Sequence, residues 1–188
     1  DQQDTPLEKG YLLRIGIDHF KEINDNFGQE YGDFVLRKTA DCISGCLSEG
    51  QKVYKLVADE FLILDVSSDK VRDAEKLYDK VREAIDRFIE ANKFKVMYTV
   101  SGGIVPFGTL GGDQYSEALK LTDFALNEAK KLGRNRCYIF DGETYRKFLR
   151  KREITQELRE AVLNGCKGFA AFYQPVFAED KKVPYGAE

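Results

Sequence analysis

The stretch from Tyr54 to Leu64 constrains the fold of this chain more than any other, because it sets two acids between two short apolar runs. Two such runs separated by a short polar break predict a β-hairpin. Asp59 and Glu60 then lie at the hairpin tip, where rigid strands hold them within reach of solvent. A solvated turn is the simpler interpretation, and metal or phosphate chemistry is the functional alternative. The rest of the sequence decides between them.

Composition narrows the classes of protein to consider. The 188 residues are 43% hydrophobic, which is enough for one well-packed domain with an appendage. The net charge of -3 argues against a broad nucleic-acid surface. No apolar run approaches the roughly 20 residues that cross a bilayer, and no signal peptide is visible. We therefore expect a cytoplasmic chain with no membrane segment and no nucleic-acid partner.

Outside the hairpin, apolar residues recur with strand and helix periods in alternation. Helices are predicted over residues 20–27, 30–47, 71–88 and 113–132, and strands over residues 11–17, 94–105 and 137–140. The order β-α-α-β-β-α-β-α-β predicts an α/β (α+β) fold, a mixed and mainly antiparallel sheet with helices packed on it. Gly102 and Gly103 inside a strand indicate either a bulge or the close approach of another group.

Five segments in a fixed order resemble the GGDEF family. They are Phe20-Lys21-Glu22-Ile23-Asn24-Asp25, Gly28 with Gly32-Asp33, Asp59-Glu60-Phe61, Thr99-Val100-Ser101-Gly102-Gly103 and Ala129-Lys130-Lys131-Leu132-Gly133-Arg134-Asn135. The resemblance runs from Tyr11 to Phe140 and implies a fold like that of the polymerase palm and the nucleotide cyclases. It also implies the family's usual activity, in which two GTP molecules on two facing domains are condensed into cyclic di-GMP.

The tail carries a second resemblance. Leu158-Arg159-Glu160-Ala161, Phe172-Tyr173-Gln174-Pro175-Val176 and Gly186-Ala187-Glu188 look like the opening of an EAL domain, a family that hydrolyses cyclic di-GMP. The predicted organisation is therefore a GGDEF domain without the family's N-terminal helix over residues 1–141 and a charged linker over 142–152. A truncated EAL domain follows over 153–188, with a short helix over residues 154–163 and a strand over residues 169–177.

The resemblance implies a metal site made by two acids, and one of them is missing here. The family's metal-binding aspartate precedes Asn24 by eight residues, and that position holds Gly16. Asp59 remains as the hairpin acid with Glu60 beside it, and we expect both to be vestigial catalytic residues. Asp18 either substitutes imperfectly as the second metal ligand or caps the following helical turn. Mg²⁺ should thus bind weakly and only with a nucleotide, because it demands a tight octahedral ligand set.

Two hairpin glycines of the family are also replaced, by Val57 and Ala58. Glycine permits unusual φ angles and lets a nucleotide approach the backbone. Val57 is expected to continue the strand instead and to occupy volume that the substrate needs. Both changes predict a degenerate GGDEF domain without cyclase activity.

The residues that the resemblance assigns to GTP are present. Asn24 and Asp33 match the guanine-reading pair, and an amide with a carboxylate can pair with a guanine edge. Lys130 and Arg134 match the phosphate-binding pair and are expected at i,i+4 on one helix face. The ordinary alternatives are a turn residue, a helix cap and a solvated helix face. The four together favour GTP as a ligand.

Three functions remain open on the sequence. The leading hypothesis is a cyclic di-GMP signalling fragment whose degenerate GGDEF domain binds GTP and regulates an attached EAL phosphodiesterase. An active diguanylate cyclase using Asp59, Glu60 and Asp18 is the enzyme alternative, and a ligand-free dimerisation or scaffold domain is the structural one. The expected partners are GTP, the EAL domain of the parent protein and a second copy in a homodimer.

Overall fold

The computed structural model describes residues 9–68, 70–92, 94, 96–111, 114–177 and 183–187. The chain divides into two compact units, residues 1–141 and 142–188. The elements of the first unit are β1 (Tyr11–Ile17), α1 (Phe20–Phe27), α2 (Gln29–Cys46), β2 (Gln51–Lys55), β3 (Glu60–Asp65), α3 (Val71–Ala91), β4 (Val100–Pro106), α4 (Gln114–Lys131) and β5 (Cys137–Ile139).

A five-stranded sheet with the strand order β2-β3-β1-β4-β5 forms the centre of this unit. β1 is antiparallel to both β3 and β4, β2 is antiparallel to β3, and only β5 pairs in parallel, with β4. The predicted mixed and mainly antiparallel sheet is therefore confirmed. Every residue of β1 is buried, as expected for a central strand covered by helices on both faces.

Successive residues of β1 face different helices, because side chains alternate across a strand. Leu13 and Ile15 are fully buried in the core with residues of α2 and α3. Arg14 instead faces α4, where its Nη1 donates to the Leu119 carbonyl oxygen at 3.2 Å. A Cβ added to Gly16 would lie 3.1 Å from Leu126 Cδ2, also in α4. Arg14 and Gly16 thus share the face of the sheet that α4 covers.

The two glycines of β4 allow the helices on both faces to approach closely. A Cβ on Gly102 would lie 2.7 Å from Tyr78 Cδ2 in α3, and one on Gly103 would lie 2.3 Å from the backbone nitrogen of Leu126 in α4. Neither separation is tolerated by a real side chain. Close approach, one of the two predicted explanations for these glycines, is confirmed.

The strand predicted over residues 94–105 begins only at Val100. The residues before it bring aromatic side chains to the helical layer instead of extending the sheet. Phe94 stacks on Tyr31 and Phe34 of α2, with ring centroids 5.4 and 5.6 Å apart. Tyr98 shares a hydrogen bond of 3.0 Å with the Thr39 hydroxyl. The β-branched and aromatic composition of this segment therefore reflects packing against α2, and the strand prediction is wrong for its first part.

Asp65, at the end of β3, is buried and accepts hydrogen bonds from two neighbours. Gln51 Nε2 donates to its Oδ2 at 2.5 Å, and the Ser67 amide and hydroxyl donate to its Oδ1 at 2.7 and 2.6 Å. Burial alone would raise the pKa of Asp65, but hydrogen bonds to the charged carboxylate outweigh burial and hold the pKa below its usual value.

We expect Asp65→Asn to lower the free energy of unfolding at neutral pH and to reduce the acid sensitivity of the fold. Because the folded pKa is depressed, the contribution of Asp65 is fully present above the unfolded value of about 3.9 and is lost as the pH falls through the folded pKa. Urea unfolding of both proteins across this range should show their difference shrinking on acidification. A difference that stays constant with pH would contradict the assignment.

The second unit contains α5 (Gly142–Leu163) and an antiparallel pair of strands, β6 (Pro175–Phe177) and β7 (Pro184–Ala187). The segment predicted as a charged linker and the helix predicted from Ile154 form one continuous helix. The strand predicted over residues 169–177 is limited to β6. Among the described helices, none is long and apolar enough to cross a membrane.

Candidate nucleotide-binding site

The turn between β2 and β3 is fixed against the end of β1. The Glu60 amide donates to the Val57 carbonyl oxygen at 3.2 Å, and Lys55 Nζ donates to the Ala58 carbonyl oxygen. The Ile17 amide donates to the Asp59 carbonyl oxygen at 3.3 Å. The backbone of Asp59 is therefore held beside the last residue of β1, while its side chain stays half-buried.

The two substituted hairpin positions, Val57 and Ala58, differ in their backbone conformation. Val57 does not continue the strand, since β2 ends at Lys55, and its side chain is 77% exposed. Ala58 has a φ of 51°, in the left-handed region that favours glycine. The expectation of a continuing strand is wrong, because the turn hydrogen bonds hold Ala58 in this left-handed conformation.

We expect Ala58→Gly to raise the free energy of unfolding by about 1 kcal/mol, because a non-glycine residue in the left-handed region carries about that cost. Val57→Gly is the matched control. Val57 has no positive φ, so glycine there adds freedom to the unfolded chain and should lower stability slightly. Chemical denaturation of the two variants should shift in opposite directions, and an equal shift would refute the explanation.

Gly16 lies beside the tip, paired with Glu60 on β3 and Ser101 on β4. A Cβ on Gly16 would lie 3.1 Å from Lys130 Nζ and 3.4 Å from Lys130 Cε. The end of the Lys130 side chain therefore fills the space that an aspartate at this position would enter. Lys130 is half-buried, and within the described part of the chain its ammonium forms no hydrogen bond or ion pair.

Glu60 is held by Arg14. Arg14 Nε donates to Glu60 Oε2 at 2.7 Å, Nη2 contacts the same oxygen, and Nη2 lies 3.4 Å from Asp123 Oδ1. The Arg14 and Glu60 side chains are only 11% and 18% exposed. Sequence reasoning missed this partner, although an arginine inside an apolar strand was a signal, since a buried cation needs an anion.

Asp18 is buried and bonded on both carboxylate oxygens. Thr99 Oγ1 donates to Oδ2 and Ser101 Oγ donates to Oδ1, each at 2.7 Å. The backbone amide of Asn135 donates to Oδ2 at 3.2 Å. The N-cap residue of α1 is His19, without a side-chain capping bond. The expected capping role of Asp18 is therefore wrong. Its carboxylate instead joins the end of β1 to β4 and to the segment after α4.

The two residues expected to read guanine lie on α1 and α2, and Asn24 packs against the residue before Asp33. A Cβ on Gly32 would lie 1.8 Å from Asn24 Oδ1, so the Asn24 side chain packs directly on the backbone of α2. Asp33 is the next residue of α2 and is exposed. Asp33 is not the cap of that helix, since the cap position is Gly28.

The expected phosphate pair does not share a helix face. Lys130 lies in the last turn of α4, which ends at Lys131. Gly133 then turns the chain with a φ of 115°, and Arg134 follows with a φ of 60°. A glycine with positive φ ends a helix in this way, so the i,i+4 expectation is wrong for Arg134, whose side chain is exposed.

The acids of this region do not fit Mg²⁺ by themselves. Gly16 offers no donor, while Asp18 and Glu60 are bonded elsewhere. Asp59 is left as a single carboxylate, and Mg²⁺ requires an octahedral set of oxygen ligands. In the part of the chain that the structure describes, no group of three or more His, Cys, Asp or Glu residues could hold a metal ion.

A cleft of about 430 Å³ opens between α1 and α3. Its lining includes Asp18, His19, Glu22, Asp86 and Met97, but of the predicted site residues only Asp18 takes part. The cleft is therefore a different feature from the hairpin site.

Comparison with known families decides the classification. The family described as "Diguanylate cyclase, GGDEF domain" matches residues 2–136, which is most of the chain. The chain belongs to the GGDEF family. GGDEF domains in general bind GTP and Mg²⁺ and serve cyclic di-GMP signalling.

Curated relatives of this GGDEF chain have two kinds of activity. It is 28% identical over 168 residues to the cyclic di-GMP phosphodiesterase NbdA of Pseudomonas aeruginosa, covering 89% of this chain and 21% of NbdA. It is 32% identical over 139 residues to the diguanylate cyclase DosC of Escherichia coli K12, covering 72% of this chain and 29% of DosC. The chain thus spans less than a third of the length of either relative.

Solved GGDEF domains share the fold. The GGDEF domain of TpbB (YfiN) from Pseudomonas aeruginosa superposes with a TM-score of 0.66 at 27% identity, covering 76% of this chain and 83% of that one. The active GGEEF domain of a Vibrio cholerae diguanylate cyclase gives a TM-score of 0.61 at 28% identity, covering 72% and 85%.

Proposed function

We propose that this GGDEF domain binds GTP without converting it to cyclic di-GMP, and that it regulates an attached phosphodiesterase. The observation that carries the proposal is the Lys130 ammonium beside Gly16, in the space where the family resemblance expects a metal-binding aspartate. An ammonium in that space repels a divalent cation, and it offers no lone pair to bind one.

The remaining acids have vestigial roles in this proposal. Glu60 is committed to Arg14 and Asp18 to the hydroxyls of Thr99 and Ser101, so both act in stability. Asp59 keeps a carboxylate at the hairpin tip that accepts no hydrogen bond among the described residues and has the Lys55 charge nearby. Mg²⁺ would then bind weakly, and only beside a nucleotide whose phosphate oxygens complete its ligand set.

GTP recognition is assigned to two clusters. Asn24 packs on the backbone of Gly32, the residue before Asp33, and the pair would offer an amide and a carboxylate to the guanine edge. Lys130 and Arg134 offer cations to the phosphates, Lys130 from the end of α4 and Arg134 from the exposed turn after it. A site that keeps these groups and lacks its metal ligands has the elements of a sensor.

The regulated partner in this proposal is an EAL domain that begins in residues 153–188, after the charged segment 142–152. The similarity to NbdA supports it, because that alignment covers 168 residues, more than the first unit contains, and NbdA is a cyclic di-GMP phosphodiesterase. Segment 142–152 belongs to the continuous helix α5, so the charged segment and the start of the proposed EAL domain form one helix.

Hydrolysis of cyclic di-GMP by the full-length protein, with and without GTP, tests the proposal. GTP should change the rate or the apparent substrate affinity by about fivefold or more, the usual range for coupling between sites. The Asn24→Ala, Asp33→Ala double variant should lose this response and keep the basal rate. No effect of GTP, or an equal effect in the variant, would reject the sensor and favour the dimerisation scaffold. Formation of cyclic di-GMP would favour the cyclase.

A further inference from the structure

Lys130 combines three properties that a phosphate-binding cation needs. Its Nζ lies 3.1 Å from the position of a Cβ on Gly16, so it reaches the end of β1 beside the hairpin tip. Its side chain is half-buried, and the preceding residue, Ala129, is fully buried, which anchors this end of α4 against the sheet. An ammonium has three donors, and hydrogen bonds from a cation to phosphate oxygens are among the strong ones.

Two acids beside this end of β1, Asp18 and Glu60, are engaged with other groups, and Lys130 forms no ion pair among the described residues. Asp18 accepts from Thr99, Ser101 and the Asn135 amide. Glu60, the cross-strand neighbour of Gly16, accepts from Arg14. The Lys130 charge is therefore available at the place where a family member would put a metal ion.

We infer that this site binds the triphosphate of GTP without a divalent cation, with the Lys130 ammonium supplying the positive charge that a metal ion supplies elsewhere. The inference rests on the proposed GTP binding and adds its ionic requirement. Asp59, whose carboxylate accepts no hydrogen bond among the described residues and has the Lys55 charge nearby, then faces the phosphates without a bridging metal and repels them.

Calorimetric titration of the 188-residue chain with GTP, in excess EDTA and in millimolar Mg²⁺, tests the requirement for metal. The dissociation constants should agree within about threefold, and binding that appears only with Mg²⁺ would overturn the inference. In EDTA, Lys130→Gln should weaken binding by about tenfold or more, as expected for the loss of a charge-assisted contact. Lys131→Gln is the matched control, because Lys131 is exposed and pairs with Glu128, and it should leave binding unchanged.

Two further variants distinguish metal-free binding of GTP from metal-dependent binding by the direction in which they change the affinity. Asp59→Asn should strengthen GTP binding in EDTA or leave it unchanged, because it removes a repulsive charge. A weaker affinity would mean that Asp59 works through a metal. Gly16→Asp should weaken binding in EDTA by neutralising Lys130, and Mg²⁺ should then restore part of it. A Gly16→Asp variant that binds GTP like the unmodified chain in EDTA would contradict the role of Lys130.

Inorganic triphosphate separates failure of this inference from failure of the proposed function. If inorganic triphosphate binds in EDTA and Lys130→Gln abolishes that binding, a metal-free phosphate site is present even where GTP itself does not bind. If GTP binds only with Mg²⁺, the sensor proposal stands and the inference fails. If neither compound binds in EDTA or in Mg²⁺, both fail.

Discussion

The purified chain, incubated with GTP and Mg²⁺, is expected to form cyclic di-GMP at least about a thousandfold more slowly than an active GGDEF domain. Metal ions contribute several kcal/mol to phosphoryl transfer by offsetting charge on the phosphates, and each 1.36 kcal/mol is about tenfold in rate. Here the metal-ligand position is Gly16 with Lys130 beside it, Glu60 is bound to Arg14, and Asp59 remains alone. Chromatography of the reaction products measures the rate directly.

Combined restoration of the family residues provides the control. The triple variant Gly16→Asp, Val57→Gly, Ala58→Gly should recover product, since the atoms nearest to a Cβ at position 16 are the flexible ends of the Lys130 and Leu126 side chains. A triple variant carrying Gly16→Asn instead has the same bulk without the charge and should stay inactive. Rapid product formation by the unmodified chain would show that Asp59 and its neighbours suffice for catalysis.

Replacement of Arg14 by methionine is expected to lower the free energy of unfolding by about 3–5 kcal/mol, the range for a buried ion pair that loses one partner. The guanidinium donates to Glu60 and to the Leu119 carbonyl oxygen, and it lies 3.4 Å from Asp123. Without it the mostly buried Glu60 carboxylate loses its hydrogen-bonded cation. Chemical denaturation at neutral pH measures the loss.

Two controls separate the ion pair from general effects of the substitution. Arg14→Met combined with Glu60→Met should recover most of the loss, because apolar residues of similar volume replace a buried pair at little cost. Arg134→Met, at an exposed position, should change stability by no more than about 0.5 kcal/mol. A loss below about 1 kcal/mol for Arg14→Met would show that the pair is not important for folding.

The sheet and helices could be predicted because their signals are local. The apolar run of β1 and the period of α3 appear directly in the sequence. The conformation of residues 94–99 could not be predicted, because aromatic and β-branched residues are typical both of strands and of segments packed on a helix. The contacts of Phe94 with α2 show that this segment is packed on a helix. Arg134 was misplaced because the glycine that ends α4 precedes it.

The candidate site divides in the same way. The missing acid at Gly16 is visible in the sequence from its spacing to Asn24. That Lys130 fills the vacated space and that Arg14 holds Glu60 both depend on the stacking of α4 against β1. Sequence spacing does not encode such contacts between distant elements. It therefore showed which groups had changed, and the structure showed how the remaining charges are paired.

Equilibrium dialysis of the chain against GTP and Mg²⁺, followed by chromatography of the recovered nucleotide, shows whether this domain binds GTP without converting it. We expect saturable binding, loss of that binding in the Asn24→Ala, Asp33→Ala variant, and recovery of the nucleotide as unchanged GTP. Absence of binding by the unmodified chain, or recovery of cyclic di-GMP, would contradict this expectation.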